Sequence, residues 1–375
     1  EVPGKKILAT GNGKCNYTNK VQGVDKYYGQ NPAFVAPVFE QFGLEETLQF
    51  FKELGIYPKE RNGGYYPQSE QATAIRDVLL MELKKQNVGV VCGCGIRGIE
   101  KTAKGFTFHT KGGDFYATKC IMATGGKTLR KSGSDGSGFL YLESLGHHII
   151  DLVPGLIGLK GKQSFFADIA GIRADAKVDL YIESTHVCSE RGELQLTNYG
   201  ISGIPVFQLS RVAARALSEQ KKVYATLNFV PFWEKEQCLT YFKERFKKAD
   251  EKHIGEALIG FFPEKLIPVL LEESHIKAAK YANRLQTEEL ERFIDTVQGL
   301  RVDITDWNTF DTAQVTAGGV DTDEIDAETM ESKLCPGLYF AGEMVDIDGI
   351  CGGYNLQWAW SSGAVAGIHV ARELS

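Results

Sequence analysis

The sequence lacks any apolar run long enough to cross a bilayer as a helix, and no signal peptide is visible, so a cytoplasmic protein is expected. It has no block of basic residues, and its net charge is -6. A nucleic-acid partner is therefore not expected. It contains no H-E-x-x-H pair and no Ser-His-Asp order, which removes the common hydrolase signatures. The adjacent His147-His148 pair reads as a loop feature. Its 8 cysteines are scattered. The one close pair, Cys92-Gly93-Cys94, has no further ligands at metal spacing, so no metal site is expected and the thiols read as reduced and structural. There is no internal repeat and no low-complexity tract.

What is present is ordinary in bulk and specific in detail. The 375 residues are 43% hydrophobic and 24% charged, enough for two or three domains with a large core. Helical spacing runs through Ala36–Gly55 and through 69–87, where Ser69 is expected to cap. "VGVVCGCGI" (88–96) reads as a buried strand. "GFTFHT" and "GDFYAT", joined by "KGG", read as a hairpin. "KCIMATGG" reads as a strand running into glycines. From about Leu152 the texture changes to short strands, one helix, and then a run of helices. After about Asp306 strand-plus-glycine texture returns.

Three glycine-rich turns follow apolar strands: "TGNGKCN" (10–16), "ATGG" (123–126) and "FAGEMVDIDG" (340–349). In a parallel α/β sheet such turns gather at one edge, where ligands bind. Glycine lets the backbone come within hydrogen-bonding distance of a ligand. The last helix, "ICGGYNLQWAWSSGA" (350–364), opens on Gly352-Gly353, a pair with little reason to start a helix unless something approaches closely. Together these features point to a nucleotide cofactor. Trp358 and Trp360, beyond the first turn of that helix, are expected in the core.

The motifs "KKILATGNGKCNYTN", "IMATGG", "TNYGISG", "VTAGGVD" and "GLYFAGEMVDIDGICGGYNLQWAWSSG" resemble those of bacterial flavoproteins of the BaiN/YhiN type, described as aminoacetone oxidase-like or NAD(P)/FAD-dependent oxidoreductases. The resemblance implies an α/β fold: a two-dinucleotide-binding-type, Rossmann-like FAD domain (1–151 and 307–375) with an inserted α+β domain (152–306) holding a barrel-like part and a helical part. It implies FAD as cofactor, held by Gly11, Asn12, Gly13, Cys15 and Asn16, by Thr124, Gly125 and Gly126, by Gly342, Glu343 and Asp348, and by Gly352, Gly353, Tyr354, Asn355 and Leu356. Glu343 takes the place of the acid directed at the ribityl chain, and Asp346 and Asp348 follow it. The helix start at Gly352-Gly353 is expected to direct its N–H groups at the flavin, with hydrogen bonds from Asn355 and Gln357. Lys14 and Tyr199 are the catalytic candidates. Cys15 has no C-x-x-C partner and reads as structural as well.

Members of this family begin with a strand, a G-x-G-x-x-G turn and a helix, and that unit is expected ahead of Glu1. By itself the 375-residue chain is expected to bind FAD weakly or not at all. The implied activity is flavin hydride transfer involving a small molecule, with oxygen, NAD(P)H or an unsaturated substrate as redox partner. NAD(P)H would be a transient donor, since no second G-x-G-x-x-G unit appears. The alternative is a flavin-binding sensor or macromolecule-interaction protein without fast turnover.

Overall fold

The computed structural model describes residues 3–375. The chain divides into two units, Glu1–Val153 with Phe310–Ser375, and Pro154–Thr309.

The first unit starts with a short helix α1 (Lys5–Ala9), the two-residue strands β1 (Thr18–Asn19) and β2 (Tyr27–Tyr28), and helices α2 (Val35–Gln41) and α3 (Leu44–Glu53). One helical run was expected over Ala36–Gly55. The chain breaks at Gly43 because Glu46, in the first turn of α3, accepts the Gly43 N–H at 2.9 Å and starts a new helix. Strands β3 (Pro58–Arg61) and β4 (Gly64–Pro67) follow. Their two-residue turn, Asn62-Gly63, has φ of 51° and 83°, the left-handed pair that suits a tight hairpin. Helix α4 (Ala72–Lys85) starts after Gln71 without a side-chain cap, so Ser69 does not cap it.

The stretch after α4 differs from expectation. Val88–Gly95 is irregular, with one turn at Cys92-Gly93, rather than a strand, and Val88, Val90, Val91 and Cys92 are exposed. An apolar run becomes a buried strand only where neighbours pair with it, and no described strand does so here. Strands β5 (Ile96–Thr102), β6 (Gly105–Thr110) and β7 (Gly113–Ala117) then make an antiparallel meander. Strand β8 (Cys120–Met122), helix α5 (Ser137–Ser144) and strand β9 (Ile149–Gly155) complete this part of the chain.

In the second unit, strands β10 (Leu159–Gly161), β11 (Arg173–Ile182), β12 (Thr185–Thr197), β13 (Gly200–Gly203), β14 (Val223–Asn228) and β15 (Leu300–Trp307) close a six-stranded barrel. Alternation along β14 puts Val223, Ala225 and Leu227 inside. Helix α6 (Ile204–Ser218) buries Val206, Leu209 and Ala213 in the same core. Helices α7 (Lys235–Lys247), α8 (Ile254–Leu258), α9 (Leu266–Glu273) and α10 (Thr287–Gly299) pack around Phe242, Phe246 and Phe293.

The chain returns to the first unit with β16 (Val315–Val320), β17 (Leu338–Phe340), β18 (Asp348–Gly349) and the terminal helix α11 (Tyr354–Leu374). β17 lies parallel to β8, Leu338 opposite Cys120 and Phe340 opposite Met122. β16 pairs with β9, and β18 runs antiparallel to β2. Trp358 of α11 is 1% exposed and packs with Phe340, Met344 and Val345, so α11 is held against the turn that follows β17.

Candidate functional site

The glycine turn at 10–16 was expected after a strand but follows the helix α1, since no described strand pairs with Lys5–Ala9, and it is built from left-handed residues. Gly11, Asn12, Gly13 and Cys15 have φ of 54°, 53°, 81° and 57°. Two of these carry side chains, which L-residues rarely hold in that region. The loop closes through the Cys15 N–H, which donates to the Thr10 carbonyl at 3.1 Å. Cys15 is fully buried, and burial pushes its thiol up to about 11. That thiol is no nucleophile at neutral pH.

Asn16 follows, between two glycines. A Cβ on Gly64 would come within 2.6 Å of its Nδ2, and one on Gly353 within 2.9 Å of its Oδ1. Asn19 donates to the Gly352 carbonyl at 2.9 Å. Gly352 and Gly353 have φ of 128° and 95°, so both need glycine on conformational grounds. What approaches them in this structure is the Asn16–Asn19 segment of the chain itself. Helix α11 starts at Tyr354 with no side-chain cap. Its first N–H groups therefore form a donor set at an electropositive terminus. Asn16 Oδ1 is buried and has no hydrogen-bond partner.

The second cluster surrounds Glu343. Its Oε1 accepts from the Thr316 N–H at 2.8 Å and from the Thr128 hydroxyl at 3.2 Å, and its other oxygen pairs with the Lys6 ammonium. The "ATGG" turn presses against it. A Cβ on Gly126 would lie 2.9 Å from Glu343 Oε1 and 2.2 Å from Thr316 Oγ1. Thr124 instead packs on Gly138 of α5. Gly342 joins the two clusters. Its N–H donates to Ser362 at 2.9 Å, and its carbonyl accepts from Trp358 Nε1 at 3.0 Å, both on α11.

The structure thus gathers Asn16, Gly352 and Gly353 in one cluster, and Gly126, Gly342 and Glu343 in the other. Other expected site residues have local duties. Asn355 exchanges two hydrogen bonds with the Gly349 backbone, at 2.8 and 2.7 Å. Gln357 is fully buried and donates to Thr47 and Ser361. Asp346 accepts the Gln30 N–H at 2.8 Å, and Asp348 is buried in β18. Tyr354 is buried edge-on to Tyr27, and Leu356 packs against the Tyr17–Phe51 cluster. Asn12 and Gly13 are exposed. Lys14 reaches Glu70. Tyr199 belongs to the other unit, in the turn between β12 and β13, with its hydroxyl 2.5 Å from where a Cβ on Gly158 would sit.

Lys6, Thr128 and Thr316 were not among the expected residues. The only local signal for Lys6 was its place in the basic pair that opens α1. His147 lies in the loop between α5 and β9, as expected, but it is buried, bonded to Glu324 Oε2 at 2.8 Å and Ser332 Oγ at 3.0 Å, which sequence reasoning missed. Among the described residues no group of three or more His, Cys, Asp or Glu side chains could hold a metal, and no helix is long and apolar enough to cross a membrane.

An uncapped helix start, an unpartnered buried acceptor and a half-buried acid beside glycine turns are what a nucleotide-binding α/β protein presents at the carboxyl end of its strands. The chain belongs to the HI0933-like family, whose Rossmann-domain profile matches residues 1–369, and it is an oxidoreductase of the BaiN type. It is 45% identical over 364 residues to a 3-dehydro-bile acid delta(4,6)-reductase of Clostridium scindens, covering 97% of this chain and 89% of that protein. It is 29% identical over 360 residues to a ribosomal RNA dihydrouridine synthase of Escherichia coli, covering 96% and 87%. A protein of that name from Haemophilus influenzae is 27% identical over 378 residues, covering 99% and 90%.

Proposed function

We propose that this chain is an FAD-dependent reductase of a carbon–carbon double bond conjugated to a carbonyl in a small apolar molecule, with a reduced nicotinamide dinucleotide as transient donor. The observation that carries the reading is the 45% identity to the bile-acid reductase along 97% of the chain. The names of the relatives share one chemistry. A 3-oxo group conjugated to a Δ4 double bond and the C5–C6 double bond of uracil are both activated toward hydride at the carbon remote from the carbonyl. The flavin, when bound, would supply that hydride.

The protein's part is to hold and orient. The N–H groups at the start of α11 and the unpartnered Asn16 Oδ1 would face the polar edge of the ring. A helix terminus carries about half a positive charge, which favours an electron-rich ring by roughly 0.3–2 kcal/mol. Glu343 would hold the ribityl hydroxyls, and its Lys6, Thr128 and Thr316 partners fix where it points. The small-molecule reading is preferred to an RNA substrate because the bile-acid reductase is the nearer of the three relatives and the chain carries a net charge of -6.

The test is anaerobic. The flavin-loaded protein is mixed with NADH or NADPH, then with a Δ4-3-oxo steroid or a uridine-containing RNA. Bleaching of the flavin followed by recovery with the steroid, and loss of the steroid's conjugated absorbance, is the expected result. A flavin that neither nicotinamide bleaches, but that an amine does, makes the protein an amine oxidase. No turnover with any donor makes it a sensor. Recovery with RNA alone makes it an RNA reductase.

A further inference from the structure

Three cations converge on one carboxylate beside the loop that carries Cys15 and Asn16. Lys14 Nζ lies 3.4 Å from Glu70 Oε1, Lys59 Nζ 3.1 Å from Oε2, and Arg61 Nη1 3.8 Å from Oε1. Lys59 and Arg61 are two apart on β3 and so share one face of the hairpin. Tyr66, the cross-strand partner of Lys59, lies against the same loop, its ring 3.7 Å from where a Cβ on Gly11 would sit. The tight Asn62-Gly63 turn holds the hairpin, and Glu70 itself sits at a φ of 50°. Its carboxyl is held below the usual range by hydrogen bonds from Lys59 and Lys14.

One carboxylate against three cations leaves a formal excess of two positive charges. The Arg61 guanidinium makes no hydrogen bond among the described residues, and each lysine uses one of its three donors on Glu70. A doubly charged anion would balance that excess and fill those donors, and diphosphates have that charge. The cluster is also close in the chain to the candidate cofactor site, since Lys14 is two residues from Asn16.

We propose that Lys14, Lys59 and Arg61 form a phosphate-binding site that receives the diphosphate of the nicotinamide dinucleotide donor. The assignment to the donor rests on the reductase reading above. The phosphate site itself does not.

Two measurements on the flavin-loaded, full-length protein separate them. In the first, inorganic pyrophosphate is titrated calorimetrically into the wild type, the Lys59→Gln/Arg61→Gln double variant and Glu70→Gln. The double variant should bind roughly tenfold more weakly, because two charge-assisted contacts are gone. Glu70→Gln should bind more tightly, because a competing carboxylate is gone, whereas a merely structural Glu70 would weaken binding when removed. Equal affinity in the double variant, or weaker binding by Glu70→Gln, overturns the site. In the second, flavin reduction by NADPH is followed by stopped flow. The double variant should need roughly tenfold more NADPH for half-saturation, at an unchanged limiting rate and flavin spectrum. An unchanged half-saturation overturns the assignment to the donor. Charge-dependent pyrophosphate binding in a wild type that no nicotinamide reduces leaves the phosphate site standing and removes the reductase reading.

Discussion

A Cβ placed on Gly353 would come within 2.8 Å of the Thr18 carbonyl oxygen. The start of α11 and strand β1 are thus in backbone contact, with no room for even a methyl group. Gly353→Ala also puts an L-residue at φ 95°, which costs about 1–2 kcal/mol before the clash is counted. We expect a total loss of about 2–4 kcal/mol with the overpacking included, and weaker flavin retention. Gly367→Ala, in the same helix with open space around its Cβ position, should instead gain about 0.5–1 kcal/mol. Urea unfolding of the two variants, with the flavin-to-protein absorbance ratio after gel filtration, checks both signs.

Glu343 tests the cofactor reading from its other end. Its carboxylate accepts from Lys6, Thr128 and the Thr316 N–H, and only 16% of its side chain is exposed. Glu343→Gln keeps the shape and loses charge-assisted bonds, so about 1–3 kcal/mol of stability should go. If Glu343 holds the ribityl chain, the purified variant should also lose most of its flavin, while Lys6→Met, which spares the acid and its Thr128 and Thr316 partners, should lose less of it. Equal flavin content in Glu343→Gln and wild type would remove Glu343 from the cofactor site.

The pH dependence of Cys15 has a definite sign. Its folded pKa, about 11, lies above the ordinary thiol value. The fold therefore favours the neutral thiol. That stability is fully present below the ordinary value near 9 and is lost as pH rises through about 11. The loss amounts to roughly 2–3 kcal/mol at 1.36 kcal/mol per unit. In the native protein at pH 8.5 or so, iodoacetamide should label the exposed Cys92 and leave Cys15 untouched, as read by peptide mass spectrometry. Rapid labelling of Cys15 would show that the loop opens.

The sequence made the β6–β7 hairpin, the β8 strand and the glycine turns after β8 and β17 legible because their signals are local: alternation, tight-turn residues, an apolar run ending in glycines. The Val88–Gly95 stretch carried a strand signal just as clear, yet burial depends on a neighbouring strand that local pattern cannot supply. The α2–α3 break was readable in principle, from Glu46 three residues after Gly43. The Lys6–Glu343 pair was not, because the partners are 337 residues apart and nothing in either neighbourhood marks the other. The same holds for Gln357, whose place in a polar core rather than at the helix start depends on α3 packing against α11.

His147 is the clearest such case, and it carries a prediction. The Glu324 carboxylate can only accept, so His147 Nδ1–H donates to it at 2.8 Å. The Ser332 hydroxyl already accepts from the Leu334 and Cys335 amides, at 3.1 and 2.8 Å, and so donates to His147 Nε2 at 3.0 Å. The arrangement has the parts of a hydrolytic triad. Yet the serine is only 4% exposed and its oxygen is taken up by backbone amides, so it works as a clasp. The imidazole also stands edge-on to Phe340, 5.1 Å between centroids, at the end of the strand that leads to Glu343. His147→Ala should leave Glu324 and Ser332 short of a buried partner and open a cavity, at a cost of about 2–4 kcal/mol. The loss should appear as a lower unfolding midpoint together with weaker flavin retention, because the strand behind Glu343 loosens. Ser332→Ala should cost less than His147→Ala, since Glu324 then keeps its histidine. Equal losses, or a flavin site indifferent to His147→Ala, would mean that the clasp does not hold the strand.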